Sequence, residues 1–560
     1  MQDKMFLVKT RYRYDSGSFD LINDATGATL LQNQPLTYLG TIWGEHYWRG
    51  TLKSYNIPGI YRIVARVGPM HVHSYHFVIG WDIYDIAFER GFQFFYYQRC
   101  GVPVHELIPG YVGHQPCHLD DHIIIDGIYR NLTGGWHSAG DYAKHTYWGM
   151  HIIGTIYSCL VSYNMTPTFF DAIDHYNVAG DLVPNGIPDI LDEAMFGLEY
   201  LERIFLDNGT LLGSIVGNLR FVPPEYDTDG IVGNKDDRKL FWEEHHAFSA
   251  PYEAMWAVAS FAKMASITRA TGYFAGREGE MILKAHYLYN NYSVFYKLAS
   301  PNIVNSSANN PGIAALLATW ELYQYTNDLA YATNATILAQ FIHDDYLSHF
   351  TYPKRDELGD LNRVVGFYAY WALQNGSTEA RAMATELGIA KWIHTFQLMS
   401  NATNNFYGIL QMPMDDMEHV GFFWERIGLN SYYLTAAFSA FMTYNLTNNP
   451  EILTFGLRQL DFIFGLNPLG TCMFEGMGSY STPIYHHRYA FIPGNPRGAV
   501  PGAIINGIIS DQEGRPFLNL NSAAGTYIQD HLASASSNEP WLPHNIHFMF
   551  AMSALYAYVL

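Results

Sequence analysis

The hydrophobic pattern changes period near residue 85, and that change constrains the fold more than any other feature. Before it, FLVKTRYRYD, SFDLIND, GIYRIVARV and HVHSYHFVIG alternate apolar and polar residues and are rich in Val, Ile, Tyr and Phe. The turn stretches DSGS, DATG, NIPG and VGPM lie between or beside them. Short strands at this spacing predict a small β-sandwich over residues 1–85. After it, DIYDIAFERGFQFFYYQRCG reads as helix. So does PDILDEAMFGLEYLERIFL, where Leu191, Met195, Leu198 and Leu201 share one face. Further helical runs cover 249–267, 312–326, 429–447, 450–466 and the C-terminal HNIHFMFAMSALYAYVL. The segment 470–530 carries His, Arg, Asn and Gly with little periodicity, and loops of that size in a compact domain usually carry function. The chain thus divides at residue 86 into a sandwich (1–85) and a large, mainly α domain (86–560).

Composition narrows the partners. The net charge of −20 repels polyanions, so nucleic acid and acidic polysaccharides are excluded and a neutral or cationic ligand is favoured. No apolar run is long enough to span a membrane, and the N-terminus lacks the apolar core of a signal peptide. Nine N-x-S/T sequons nevertheless point to a secreted protein whose signal has been removed, rather than a cytoplasmic one. A monomer is expected. The 42 Tyr, 34 Phe and 12 Trp either fill a core or line a groove with flat faces.

Three stretches carry chemistry. In GGWHSAGDYAKH (134–145), Asp141 follows Ala-Gly, which leaves it open to approach. It is either a turn residue capping the next helix or a general base. In SSNEPWLPHN, Glu539 stands at the mouth of the last helix as a cap partner or a proton donor. Hydrolysis of a glycosidic bond needs one protonated and one ionised carboxyl group. In DLVPNGIPDILD (181–192), oxygen donors fall at positions 1, 5, 9 and 12 with glycine at 6, close to the spacing of a calcium loop. The ordinary alternative is a turn with Asp189 capping a helix. Cys100, Cys117, His118 and His137 offer two thiolates and two imidazoles, enough for a tetrahedral zinc site. On spacing alone, buried free thiols or a Cys100–Cys117 disulfide is the more ordinary reading.

FFYYQRCG (94–101), CHLDD (117–121), GGWHSAGDYAKH, NGIPDILDEAMFGLEYL (185–201), FGLNPLG (464–470), YHHR (485–488) and SSNE (536–539) together resemble glycoside hydrolase family 9, in the family's order. The similarity is to inverting β-1,4-glucanases with an N-terminal immunoglobulin-like domain. It implies an (α/α)6 barrel with an open cleft, and endo-acting hydrolysis of cellulose or a related β-glucan. Glucomannan, xyloglucan and chitosan oligomers, including exo-glucosaminidase action, are the alternatives. By resemblance Asp141 is the base and Glu539 the acid, with a raised pKa. His486, His487 and Arg488 hold the sugar near the cleavage point. Cys100, Cys117, His118 and His137 bind structural zinc, with His145 as an alternative fourth ligand. Asp181, Asn185, Asp189, Asp192 and the Ile187 carbonyl bind structural calcium. Two departures stand out. Ser138 replaces the usual first aspartate of Asp-Ala-Gly-Asp, which helps orient the water; it implies a slower or pH-shifted reaction, or a β-glycan-binding protein that has lost catalysis. Asp120 and Asp121 are candidates to compensate. His544 occupies a position that is often aromatic, so Trp541 is expected to take over sugar contact there.

Overall fold

The computed structural model describes residues 4–52, 55–80, 82–125, 127–146, 151–166, 185–206, 212, 215–216, 224–227, 239–240, 251–293, 311–348, 355–401, 404–413, 420–421, 427–511, 513–520 and 535–560. The first strands are β1 (Met5–Thr10), β2 (Gly17–Asn23), β3 (Thr29–Pro35), β4 (Thr37–Ile42), β5 (Glu45–Thr51), β6 (Gly59–Val67), β7 (Met70–His73) and β8 (Phe77–Ile79). They form two antiparallel sheets, one ordered β1-β5-β4 and the other β3-β2-β6-β7, with β8 also on β6. Alternation decides which residues face inward: Tyr61, Ile63, Ala65 and Val67 of β6 are all buried. With Val8, Phe19, Leu21 and Trp48 they form a core of their own between the sheets. Strands end at Ile79 and helix begins at Ile83, close to the expected change of period.

The helices are α1 (Ile83–Tyr97), α2 (Ile152–Met165), α3 (Asp189–Arg203), α4 (Pro251–Thr271), α5 (Glu278–Tyr292), α6 (Pro311–Thr326), α7 (Leu329–Ser348), α8 (Arg355–Asn375), α9 (Thr378–Asn401), α10 (Asn430–Thr447), α11 (Pro450–Ile463) and α12 (Leu542–Tyr558). Helix α2 packs on α4, α4 on α6, α6 on α8, α8 on α10, α10 on α12, and α12 back on α2, so these six close a ring. The others back it from outside: α3 on α2, α5 on α4, α7 on α6, α9 on α8, α11 on α10 and α1 on α12. This is the (α/α)6 barrel.

The inner helices run the same way. Ser553 Oγ of α12 donates to Ser162 Oγ of α2 at 2.7 Å, each late in its helix. Tyr157 of α2 packs on Trp256 of α4, each early in its helix. Rings from five inner helices fill the axis: Phe367 lies 6.2 Å from Tyr157, 5.2 Å from Trp256, 5.1 Å from Phe438 and 4.9 Å from Phe550, centroid to centroid. Part of the aromatic excess is therefore core. An inner helix touches protein all round, which is why α2 (IIGTIYSCLVSYNM) is buried from Ile152 through Ser162 and shows no polar stripe.

A buried ion pair ties the ring. Lys263 Nζ of α4 lies 3.0 Å from Glu321 Oε1 of α6, and the Tyr157 hydroxyl donates to the same oxygen at 3.3 Å. Removing one partner leaves a charge in the core. Glu321→Ala is expected to lower unfolding stability by about 3–5 kcal/mol in urea, whereas Lys263→Met with Glu321→Leu loses far less.

Candidate active site

Each inner helix is entered from the same rim, so the loops leading into α2 and α12 meet. Asp141 stands on the first. Glu539 stands on the second, just after the short helical turn Ala535–Asn538. Main-chain bonds stitch these loops to the 484–488 segment. Leu542 N–H donates to Ser138 O at 2.9 Å, Arg488 N–H to Gly140 O at 3.1 Å, and His486 N–H to Asn538 O at 3.0 Å. Gly140 is required there, because a Cβ would sit 1.9 Å from His486 O. The next turn is tight: Ala143 N–H donates to Asp141 Oδ1 at 3.0 Å, and Tyr142 takes a φ of 66°, a left-handed conformation unfavourable for a bulky residue. Asp141 is half-buried, whereas Glu539 is only 6 % exposed.

The remaining expected residues separate into two groups. His486 and Arg488 are bonded through their main-chain N–H groups to Asn538 and Gly140, the residues before the two acids, and the Arg488 guanidinium sits 5.3 Å from the Tyr142 ring centroid. Trp541 is half-buried and stacks on His544, with centroids 5.7 Å apart and planes 15° apart. His544 itself is buried beneath it, its Nδ1 accepting from Trp541 N–H at 3.2 Å, so it supports the tryptophan rather than a sugar. His487 is likewise an internal brace, correcting its expected sugar contact. It is fully buried, its Nδ1 accepts from Tyr489 N–H at 3.1 Å, and its Nε2 lies 3.3 Å from Gln98 Oε1. Neither ring nitrogen remains for a sugar hydroxyl. Ser138 is also fully buried, and its Oγ accepts from His145 N–H at 2.8 Å, which shapes the Asp141 loop. Asp120 and Asp121 are buried, and Asp121 pairs with Lys144 Nζ at 2.6 Å. That pair braces the loop from behind instead of adding charge beside Asp141.

Cys100, Cys117, His118 and His137 converge, their ligand atoms all within 4.8 Å of one another. A tetrahedral zinc ion with these ligands has sulfur–nitrogen edges of about 3.6 Å and a nitrogen–nitrogen edge of about 3.3 Å. The cluster shows 3.5 Å from Cys100 Sγ to His118 Nδ1, 3.6 Å from Cys117 Sγ to His137 Nε2, and 3.2 Å between those two nitrogens. All four cysteines are free thiols, so Cys100 and Cys117 form no disulfide. His145 lies outside the cluster, against His151 at 5.3 Å between centroids. The His137 ring packs on Tyr142 at 4.3 Å, which puts the cluster directly behind Asp141.

The second donor set is at the start of α3. Asp189 and Asp192 are fully buried there, and Asn185 Nδ2 donates to Asp192 Oδ2 at 2.7 Å. Asp192 Oδ1 has no hydrogen-bond partner, and burial pushes the carboxyl up to about 7. A buried, half-satisfied carboxylate beside a second one fits a hard cation held by oxygen. Ile187 lies in the same turn, its N–H donating to Asn185 Oδ1 at 2.9 Å. Asp181 falls outside the described residues.

Sequence reasoning missed the connectors. Gln98, at the end of α1, accepts His137 N–H through its carbonyl at 2.7 Å and meets His487 through its side chain. Lys144 also donates to Leu132 O and Gly134 O, at 2.7 and 3.0 Å. Lys144 follows the Asp141 turn in sequence, but nothing local signals its partners.

The family profile described as glycosyl hydrolase family 9 matches residues 84–552. The chain belongs to that family. A cellodextrinase of Butyrivibrio fibrisolvens is 27% identical over 230 residues, covering 40% of this chain and 40% of its own. A xyloglucan-specific endo-β-1,4-glucanase of Bacteroides ovatus is 23% identical over 505 residues, covering 86% of this chain and 80% of its own. The match thus spans well under half the length of the first of these relatives. The crystal structure of a Zn-binding triple mutant of a family 9 endoglucanase shares the fold, with a TM-score of 0.72 at 19% identity over 98% of both chains.

Buried histidines surround the site. Burial lowers His544 to about 3 and holds His151 and His547 well below the usual imidazole range. His145 and His544 face His151, and Arg363 with His544 and His151 faces His547, which opposes protonation further. In the unfolded chain each takes up a proton near pH 6.5. Their contribution is therefore complete above pH 6.5 and is lost as the pH falls from there toward 3. The urea midpoint is expected to be lower at pH 5 than at pH 7.5, and His544→Phe should reduce that drop.

Proposed function

We propose that this chain is an inverting, endo-acting β-1,4-glucan hydrolase. Asp141 activates the attacking water and Glu539 protonates the departing glycosidic oxygen. The observation that carries this reading is the meeting of two carboxylate loops from opposite ends of the chain, with the two acids in unlike surroundings. Asp141 is half-buried with Oδ1 accepting from Ala143 N–H, whereas Glu539 is nearly enclosed, and an inverting reaction divides the roles of base and acid between two such carboxyl groups. In this reading His486, Arg488 and Trp541 hold the sugar. The relatives named for cellodextrin and xyloglucan support a β-1,4-linked glucan, and the acidic chain suits a neutral polymer.

We further propose zinc at Cys100, Cys117, His118 and His137, and calcium at Asn185, Asp189 and Asp192 together with Asp181 and the Ile187 carbonyl. Bound zinc supplies a crosslink behind the Asp141 loop and calcium neutralises the buried acids of α3; the reaction itself belongs to the carboxylates.

Two measurements test these assignments. Proton NMR of cellohexaose turnover should show the α-anomer first, with products of several lengths, and Asp141→Asn and Glu539→Gln should each lose at least about 100-fold in kcat. Release of the β-anomer refutes inversion. Binding without cleavage favours the catalytically impaired alternative that buried Ser138 raises. Elemental analysis of the purified protein should find zinc and calcium. Cys117→Ser should lose the zinc and Asp192→Asn the calcium, each with a lower melting temperature, and a full complement of either metal in its variant rules out that site.

A further inference from the structure

One buried carboxylate near the site takes no part in the proposed chemistry. Glu475 is 3 % exposed and lies in the long connection before α12. Its Oε1 accepts from the Tyr111 hydroxyl at 2.9 Å and from Arg497 Nη1 at 3.2 Å. Its Oε2 accepts from the Tyr485 hydroxyl at 2.6 Å and from Arg497 Nη2 at 3.0 Å. Four donors occupy the carboxylate, so it cannot also bind sugar. Each donor comes from irregular chain and none from a helix of the ring. What this group fixes is therefore loop geometry, not the barrel.

We propose that Glu475 is a positioning residue for hydrolysis, clamping through Arg497 and Tyr485 the segment that carries His486 and Arg488 and braces Glu539. The inference rests on the reading of Glu539 as the acid. Arg497 is the arm of the clamp. Its Nη2 also donates to Thr482 O at 2.6 Å, its Nε to Pro483 O at 3.3 Å, and its carbonyl accepts from Tyr485 N–H at 2.8 Å. Residues 482–485 are thus held by one guanidinium and one carboxylate. The next links lead straight to the acids. Asn538 Nδ2 donates to Ile484 O at 2.9 Å and His486 N–H to Asn538 O at 3.0 Å, so 484–486 is laced to the residue before Glu539. On its other side His486 O abuts Gly140, next to Asp141. A shift of 484–486 moves both acid loops, and a displacement of about 1 Å in such a site costs on the order of 100-fold in rate.

Burial, with Glu475 adding to it, raises both the Tyr111 and Tyr485 hydroxyls, so they remain donors at working pH. The carboxylate loses its bidentate partner only if Arg497 leaves, and Arg497 is largely at the surface.

The test is steady-state kinetics on cellohexaose with full-length protein. Glu475→Gln keeps the volume but removes the charge that Arg497 needs. It should lower kcat by about 10- to 100-fold, leave KM within about 3-fold, and leave the melting temperature and zinc content close to the parent. Arg497→Met, a surface change, should reproduce the kcat loss, and Arg497→Lys should recover part of it. Should Glu475→Gln fail to fold, the two Arg497 variants decide. Parental kcat per folded molecule in Glu475→Gln or in Arg497→Met overturns the clamp. So does a loss confined to KM. Glu539→Gln is assayed alongside: activity there overturns the acid assignment, whereas the kcat loss in the clamp variants is read independently of it.

Discussion

Six helices running in one direction around a filled axis force all their N-terminal ends onto one rim, and the rest of the molecule follows from that. Among the described residues the axis is filled by Trp256, Phe367, Phe438 and Phe550. Chemistry must then sit on the rim, where loops enter the inner helices. Because α12 packs on α2, the loop near the end of the chain lies against one near its beginning, and Glu539 comes to Asp141 without either being near the other in sequence. Helix N-termini also present unpaired N–H groups and a partial positive charge, which suits a rim carrying carboxylates.

A rim of loops lacks the hydrogen-bond ladder that holds a helix or sheet, and here other devices supply order. The Cys100, Cys117, His118 and His137 cluster, the Asp121–Lys144 pair and the Glu475–Arg497 pair each join segments distant in sequence. Gln98 connects two of these regions, since its carbonyl holds His137 and its side chain holds His487. Buried ion pairs are poor sources of stability, because desolvation offsets most of their attraction. Their value at this site is directional. An apolar contact tolerates sliding, whereas a carboxylate gripped by four donors accepts only a narrow range of directions.

Much of this was legible in the sequence where the signal is local. The period-two pattern of β6 and the apolar face of α3 both appear where the residues predicted them. Helix α2 was not readable from periodicity, because burial on all sides leaves IIGTIYSCLVSYNM without a polar face. The thiol–imidazole cluster was legible as a donor set, and folding chose His137 over His145 because His137 follows the Gln98 carbonyl into the cluster. The double histidine was read only in part. His486 bonds through its N–H to Asn538, while the extended backbone at His487 turns that ring inward to Gln98. Glu475, Lys144 and Gln98 carried no local signal, since what defines each is a partner far along the chain.

Ser138 shows how a departure in sequence is absorbed by its surroundings. The residue is fully buried, its carbonyl taken by Leu542 N–H and its hydroxyl by His145 N–H. Asp121, the nearby acid in sequence, is neutralised by Lys144. His145 and His151 are held uncharged by burial, even though Asp141 opposes this for His145. A carboxylate at position 138 would be fully buried near the imidazoles of His145 and His151, where an unpaired charge is strongly disfavoured. The serine and the neutral histidines thus form one consistent environment. Asp141 is the one acidic residue of the described stretch 127–146, and under the proposed reading the work of a base falls on that single side chain.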